Sequence, residues 1–225
     1  MFTGIIEAVG VIAASEELQG DLRLYVRTGD LDLSDVKLGD SIAVNGVCLT
    51  AVALPGDGFW ADVSRETLVH TRFPDLSPGE RVNLEKAMQP TTRFGGHIVT
   101  GHVDGLGEVI AIEEDARSIR FKIRAPTTIA RYIAAKGSIT VDGVSLTANA
   151  VEGHVFDLNI VPHTAQETII ASYQSGRKVH LEVDIIARYM ERLINYSEGA
   201  DTNLTEPAGG VSMATLAAAG FLNRR

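Results

Sequence analysis

The chain predicts a mainly β protein made of two copies of one small antiparallel barrel followed by an α-helix, and three observations lead there. The stretch "GDSIAVNGVCLT", Gly39 to Thr50, returns as "KGSITVDGVSLT", Lys136 to Thr147, with every position displaced by 97. Each copy holds short runs of alternating apolar and polar residues separated by turn signals, which favours a closed antiparallel barrel over a parallel sheet. After the second copy the alternation gives way to "DIIARYMERLINY", whose apolar residues recur at helical spacing.

The first copy opens with "FTGIIEAVGVIAA", turns around Gly20, and continues in "LRLYVRT", which alternates as a half-buried strand should. Two further runs flank Asn45-Gly46, a pair suited to a type I′ hairpin because both turn residues need positive φ. Another strand begins in "GFWADVSRETL", and "PGERVNLEKA" sets Val82 and Leu84 against Asn83 and Glu85. Displacement by 97 turns Thr3-Gly4 into Thr100-Gly101, Arg27 into Arg124, Phe59 into Phe156, Thr67 into Thr164 and Glu85 into Glu182, without a gap. A period this long means a duplicated domain rather than a solenoid. The stretches "RETLVHTRF" and "PTTIARYIAAKG" are expected to supply one or two helical turns. In the last helix Ile185, Ile186, Tyr189, Met190, Leu193 and Ile194 share one face, and Asp184 is placed to cap its start. The expected division is a barrel over 1–97, a second over 98–184, a helix over 185–197 and a mobile tail over 198–225. That helix must bury its apolar face on its own barrel or on other subunits.

A chain of 225 residues can bury two separate cores. Its net charge of −9, with no cluster of Lys and Arg, argues against nucleic acid or an anionic membrane surface as partner. No apolar run is long enough to span a membrane, and "MFTGIIEAVG" lacks the charged start of a secretory signal, so a cytoplasmic location is expected. A single cysteine, Cys48, leaves no intrachain disulfide and no thiolate zinc cage.

The copies are most informative where they disagree. Cys48 stands opposite Ser145, Ile5 opposite His102, Ala87 opposite Asp184, and Gly39 opposite Lys136. A free cysteine is commonly a small core residue, but serine fills a core poorly, so this position is expected to face a polar pocket. His102 is the natural general base near physiological pH, although a strand histidine is more often structural. His97 and His102 are five apart and should face opposite sides of a strand, which disfavours a shared metal. Gly95, Gly96, Gly101, Gly105 and Gly107 lack the strand-loop-helix setting of a phosphate loop, and suit barrel bends and close approach to a planar ligand. Lys136 reads equally as a solvated lysine or a site residue, and Asp184 as a helix cap or a site residue.

The opening "MFTGIIEAVG", the pair "NGVCLT" and "DGVSLT", and "GGHIVTGHVDG" between them resemble the riboflavin synthase alpha-chain family over about the first 197 residues. The resemblance implies two similar six-stranded antiparallel Greek-key barrels and a C-terminal helix that makes a homotrimer. It implies active sites between the N-terminal barrel of one subunit and the C-terminal barrel of another. The implied reaction takes two molecules of 6,7-dimethyl-8-ribityllumazine to riboflavin and 5-amino-6-ribitylaminouracil by transfer of a four-carbon unit, with no metal or organic cofactor. Lumazine synthase is an associated partner to consider. A dismutation holds two copies of one substrate face to face, and two related but unequal half-sites suit that task.

Carried over position by position, the implied ligand contacts fall on Gly4, Ile5 and Ile6, on Cys48, Leu49 and Thr50, and on Asp62, Val63, Ser64, Arg65, Glu66 and Thr67. In the second half they fall on Gly101, His102 and Val103, on Lys136, on Ser145, Leu146 and Thr147, and on Asn159, Ile160, Val161, Pro162, His163 and Thr164. The expected chemistry starts from the acidic C7 methyl of the lumazine, with His102, oriented with Thr147, removing or relaying its proton. Ser145 and Cys48 assist at the two rings, and Ser41, Lys136 and Asp184 support them. A rival reading is a lumazine- or flavin-binding antenna protein with the same barrels and no chemistry. Such binders tend to lose site residues in one half, whereas both halves here retain theirs. A flavin-binding reductase domain is weaker, because no nicotinamide-binding module follows.

Overall fold

The computed structural model describes residues 1–196. The first repeat contains strands β1 (Ala8–Leu18), β2 (Asp21–Arg27), β3 (Ser41–Val44), β4 (Val47–Ala53) and β5 (Gly58–Val63). A short helix α1 (Arg65–His70) and strand β6 (Arg81–Lys86) complete it. The six strands close into an antiparallel barrel in the order β1-β2-β5-β4-β3-β6. Asn45 and Gly46 carry φ of 47° and 80°, the pair of positive values that a type I′ turn demands. Ile12, Leu24, Val26, Ile42, Phe59 and Leu84 fill the interior from alternate strand positions.

The second repeat contains β7 (Gly105–Asp115), β8 (Ser118–Arg124), helix α2 (Thr127–Ala130), β9 (Ser138–Val141), β10 (Val144–Thr147) and β11 (Ala150–Glu152). Strand β12 (Val155–Ile160), helix α3 (Pro162–Glu167) and strand β13 (Lys178–Val183) follow. Here the structure departs from a second closed six-stranded barrel. The sheet runs β10-β9-β13-β7-β8-β12-β11, because the strand equivalent to β4 is broken at Ala148-Asn149. The chain path is nonetheless repeated: Ala51 donates to the Asp40 carbonyl as Ala148 does to Gly137. In β4 the same place holds a bulge between Ala51 and Ala53. The sheet therefore curls until the two halves of one strand form its two edges.

Of the two stretches expected to be helical, the first yields α1 and a 3₁₀ turn at Phe73–Asp75, and the second yields α2. Helix α3, the repeat equivalent of α1, has no helical period in the sequence to announce it. After β13 comes α4 (Ile185–Ile194), and Asp184 caps it by accepting from the Ile186 amide at 3.0 Å. Arg188 pairs with Asp104 and lies 5.1 Å over the Tyr132 ring, tying the first turns of α4 to the second repeat. The expectation for 198–225 lies outside the described residues.

Within Met1–Tyr189 the two repeats meet through reciprocal contacts. Gly46 and Gly143 stand back to back there, and a Cβ on either would come within 2.7 Å of the other's amide nitrogen. Around them runs a buried polar network that preserves its geometry while changing its residues. Asn83 donates to the Asp142 carbonyl at 2.9 Å and accepts from the Ile169 amide at 2.9 Å. Its counterpart His180 meets the Asn45 carbonyl through Nδ1 at 2.9 Å and accepts from the Arg72 amide through Nε2 at 2.8 Å. That pattern assigns a neutral imidazole with its hydrogen on Nδ1. Burial lowers the His180 pKa, in keeping with the neutral form.

Candidate functional site

The two repeats exchange segments at the positions where the sequence placed the site. Gly4 and Gly101 have φ of 77° and 81°, which glycine adopts without strain. The Gly4 carbonyl accepts from the Ser145 amide at 2.7 Å, and the Gly101 carbonyl from the Cys48 amide at 2.9 Å. Each repeat thus lays a short strap across the hairpin of the other. Ile6 packs on the core of the second repeat and Val103 on that of the first. The sequence grouped Gly4, Ile5 and Ile6 with Cys48, and Gly101, His102 and Val103 with Ser145; space regroups them the other way.

Two buried glutamates hold the straps. Glu85 receives the Thr3 amide at 2.7 Å, the Thr3 hydroxyl at 2.8 Å and the Gly4 amide at 2.9 Å. Glu182 receives the Thr100 amide, the Thr100 hydroxyl and the Gly101 amide at 2.6, 2.7 and 3.0 Å. Burial raises the pKa of both carboxyls, and these donors pull in the opposite direction by favouring the charged form. The sequence showed this pair as one more repeated position and gave it no task.

Beside Cys48 lies a cavity of about 260 Å³. Cys48 is half-buried on its wall, Glu66, Thr67 and His70 come from α1, and the strap adds Gly101, His102 and Val103. The helix is set at the edge of β5 by Ser64, whose hydroxyl accepts from the Thr67 amide at 3.4 Å. His70 and Glu66 lie 3.2 Å apart on it. A neighbouring cavity of about 400 Å³ continues past His102 to Asp104, Glu182 and Arg188. Its counterpart beside the other strap holds Thr3, Ile5, Glu85, Lys86 and Arg93 and measures about 510 Å³. A larger groove of about 970 Å³, between β1 and the loop after β2, contains none of the expected site residues.

On the other side Ser145 is partly buried, and its Oγ lies 2.7 Å from His97 Nδ1. His97 is 8% exposed, and burial lowers its pKa against the opposing pull of the Asp184 carboxylate. The stretch around His97 and His102 is not a regular strand: only Val99 makes a bridge, with Phe2. The alternation argument therefore does not apply to these histidines. His102 is exposed beside the Cys48 cavity, and among the described residues it shares no hydrogen bond with Thr147 inside one chain.

The remaining expected residues are placed as follows. Leu49 is buried, Leu146 packs on the second core, and Thr50 and Thr147 are exposed partners of Ser41 and Ser138 in the two hairpins. Ser41 lines a separate cavity of about 200 Å³ with Lys86 and Gln89. Lys136 stands where the first repeat has Gly39, with φ of 67°, a conformation costly for a residue with a side chain. Its Nζ donates to Asn149 at 3.4 Å. Arg23 grips the Asp62 carboxylate through two bonds of 2.6 and 3.0 Å and lowers its pKa, so that side chain is already engaged. Val63 is buried in β5 and Arg65 donates to the Gly20 carbonyl. Asn159 and Ile160 end β12, Val161 and Pro162 open α3, and His163 and Thr164 occupy its first turn.

Two barrel-like repeats with a cavity at each exchanged strap define a class, and the sequence model of the lumazine binding domain matches this chain at residues 3–87 and again at 100–184. The chain is 53% identical over 222 residues to a riboflavin synthase of Photobacterium phosphoreum, covering 99% of this chain and all of that one. With the riboflavin synthase of Bacillus subtilis (strain 168) it shares 41% identity over 205 residues, covering 91% and 95%. The crystal structure of LumP complexed with riboflavin superposes with a TM-score of 0.76 at 25% identity, covering 81% of this chain and 99% of LumP. The chain belongs to the riboflavin synthase family.

Proposed function

We propose that this chain converts two molecules of 6,7-dimethyl-8-ribityllumazine into riboflavin and 5-amino-6-ribitylaminouracil, transferring a four-carbon unit between identical molecules. The observation that carries the reading is the pair of unequal half-sites, one built on Cys48 and one on Ser145, each closed by the other repeat's strap. Two copies of one substrate must become donor and acceptor, and identical sites could not tell them apart. Each repeat, 1–97 and 98–184, contributes one lumazine-binding half. Backbone groups of Cys48–Thr50, Asp62–Thr67 and their counterparts read the pyrimidinedione edge, and Thr50, Thr67, Thr147 and Thr164 meet the ribityl chain. Asp62, engaged by Arg23, acts through its backbone. His102 takes the proton from an acidic ring methyl, and Thr147 reaches it from another subunit.

The exposed apolar residues Ile186, Tyr189, Met190, Leu193 and Ile194 of α4 support self-association into a homotrimer. The reading assigns the enzyme to the cytoplasm. The rival antenna reading has support in LumP, solved with 6,7-dimethyl-8-(1'-D-ribityl) lumazine at a TM-score of 0.73. Against it stands 41–53% identity to riboflavin synthases over nearly the whole chain. Incubation of the pure protein with the lumazine alone tests the choice. New riboflavin absorbance and fluorescence, with uracil product in equal amount, are expected; tight binding without riboflavin would refute the enzyme.

A further inference from the structure

His97 has no counterpart in the first repeat, since it lies in the connection between the two matched domains. Its position is nevertheless tightly built. Its amide donates to the Thr3 carbonyl at 3.1 Å. The preceding Gly96 runs so close to the hairpin that a Cβ there would fall 2.0 Å from the Thr3 carbonyl oxygen and 2.8 Å from Ser145 Cβ. The connection is thus pressed onto Ser145, and it delivers the ring with Nδ1 2.7 Å from the serine oxygen. The Ser145 amide is already given to Gly4, which leaves the hydroxyl for this contact. His97 Nε2 is buried and has no partner among the described residues. Among the described residues no histidine is hydrogen-bonded to Cys48 in this way.

We infer that His97 is a positioning residue of the Ser145 half-site, its Nδ1 accepting the Ser145 hydroxyl hydrogen so that the serine oxygen serves as proton acceptor for the lumazine bound there. The inference rests on the dismutation reading. When a proton leaves a ring methyl of that lumazine for Oγ, the Oγ hydrogen passes to Nδ1. One C–H and one O–H bond break, one O–H and one N–H bond form, and the electron pair stays delocalised in the ring. Burial lowers the His97 pKa and so keeps the resting ring neutral, while the Asp184 carboxylate partly offsets that cost when the imidazolium forms. This gives the neutral Nε2–H tautomer in the resting enzyme, and it explains how a serine can stand where the other half-site has a thiol. His102 serves the Cys48 side from the strap, so the two half-sites reach their histidines by different routes.

The test is a double-mutant cycle on turnover and lumazine binding. His97→Ala is expected to lower kcat about 100-fold while leaving the lumazine Kd within about twofold. His97→Asn, whose Oδ1 reaches the place of Nδ1, is expected to recover roughly tenfold of that loss. In a Ser145→Ala background, His97→Ala should cost less than about twofold, because its route to the substrate is gone. Equal costs in both backgrounds would overturn the inference, as would a weakened Kd with kcat unchanged. A His97→Asn protein with the wild-type unfolding midpoint and no recovery would overturn it too. Wild-type protein that forms no riboflavin would refute the dismutation reading and this inference with it, whereas active wild type with additive costs would refute the inference alone.

Discussion

Gly101→Ala probes the strap contact most directly. At φ of 81° an alanine incurs about 1–2 kcal/mol from its backbone alone. Its Cβ would lie 2.6 Å from Cys48 Cβ, 2.9 Å from the Phe2 ring and 3.0 Å from the Cys48 amide nitrogen. Carbon atoms rest about 3.5–4.0 Å apart, so the strap must lift or the hairpin must yield. Overpacking of this kind costs about 1–3 kcal/mol, which brings the expected loss to about 2–5 kcal/mol. Urea unfolding measures that loss, and kcat/KM with the lumazine measures the effect of displacing His102 beside Cys48. Cys48→Ala retains the clashing Cβ and should give no relief in the double variant. Gly4→Ala, facing Ser145 Cβ at 2.6 Å with φ of 77°, should cost a similar amount. A Gly101→Ala protein within about 0.5 kcal/mol of wild type would refute the account of the strap.

Three further outcomes follow from the same geometry. Glu182→Gln keeps an acceptor for Thr100 but turns N–H toward the Gly101 amide, so loss of that bond to a charged acceptor should cost about 1.5–3 kcal/mol in urea unfolding. Lys136→Gly relieves the left-handed backbone and should stabilise by about 1–2 kcal/mol, while kcat/KM falls if the ammonium serves the reaction. The neutral His180 makes stability depend on pH. Its folded pKa lies below the unfolded value of 6.5, so its contribution is complete above that value and is lost as pH falls from there through the folded pKa. His180→Asn, which copies the working arrangement of Asn83, should therefore keep the fold and gain on wild type as pH is lowered. Unfolding midpoints of the two proteins at several pH values between 7 and 5, about the range of histidine titration, measure the difference. A pH-independent difference would count against the buried neutral imidazole.

The duplicated fold could be read from the chain because offset, turn pairs and strand alternation all repeat in linear order. Asn45-Gly46 and Asp142-Gly143 announced hairpins through local backbone demands alone, and Asp184 announced the start of α4 for the same reason. The exchange of straps could not be read, because a period says which residues are equivalent and nothing about which copy they touch. His97 was weighed in the sequence only as a metal ligand and given no site role, since comparison of the repeats weighs only positions that have a partner, and it has none. The Gly95-Gly96 pair beside it was the available signal: Gly96 is pressed against the Thr3 carbonyl and Gly95 against the Ile5 side chain, and so close an approach marks a place where the next side chain is aimed. The break at Asn149 was hidden because its hydrogen bonds follow the same path as the bulge in β4. Glu85 and Glu182 were visible as a repeat, but their role depends on donors from a segment more than eighty residues earlier.

The seating of each strap in the opposite repeat changes how defects in this chain are to be mapped. A substitution at Ile6 belongs by address to the first repeat, yet its side chain rests on the core of the second and its damage should appear at Ser145. One at Val103 should appear at Cys48. Any survey that sorts variants by their place in the linear sequence would assign donor-side and acceptor-side phenotypes to the wrong halves, and would do so consistently enough to look like a clean result.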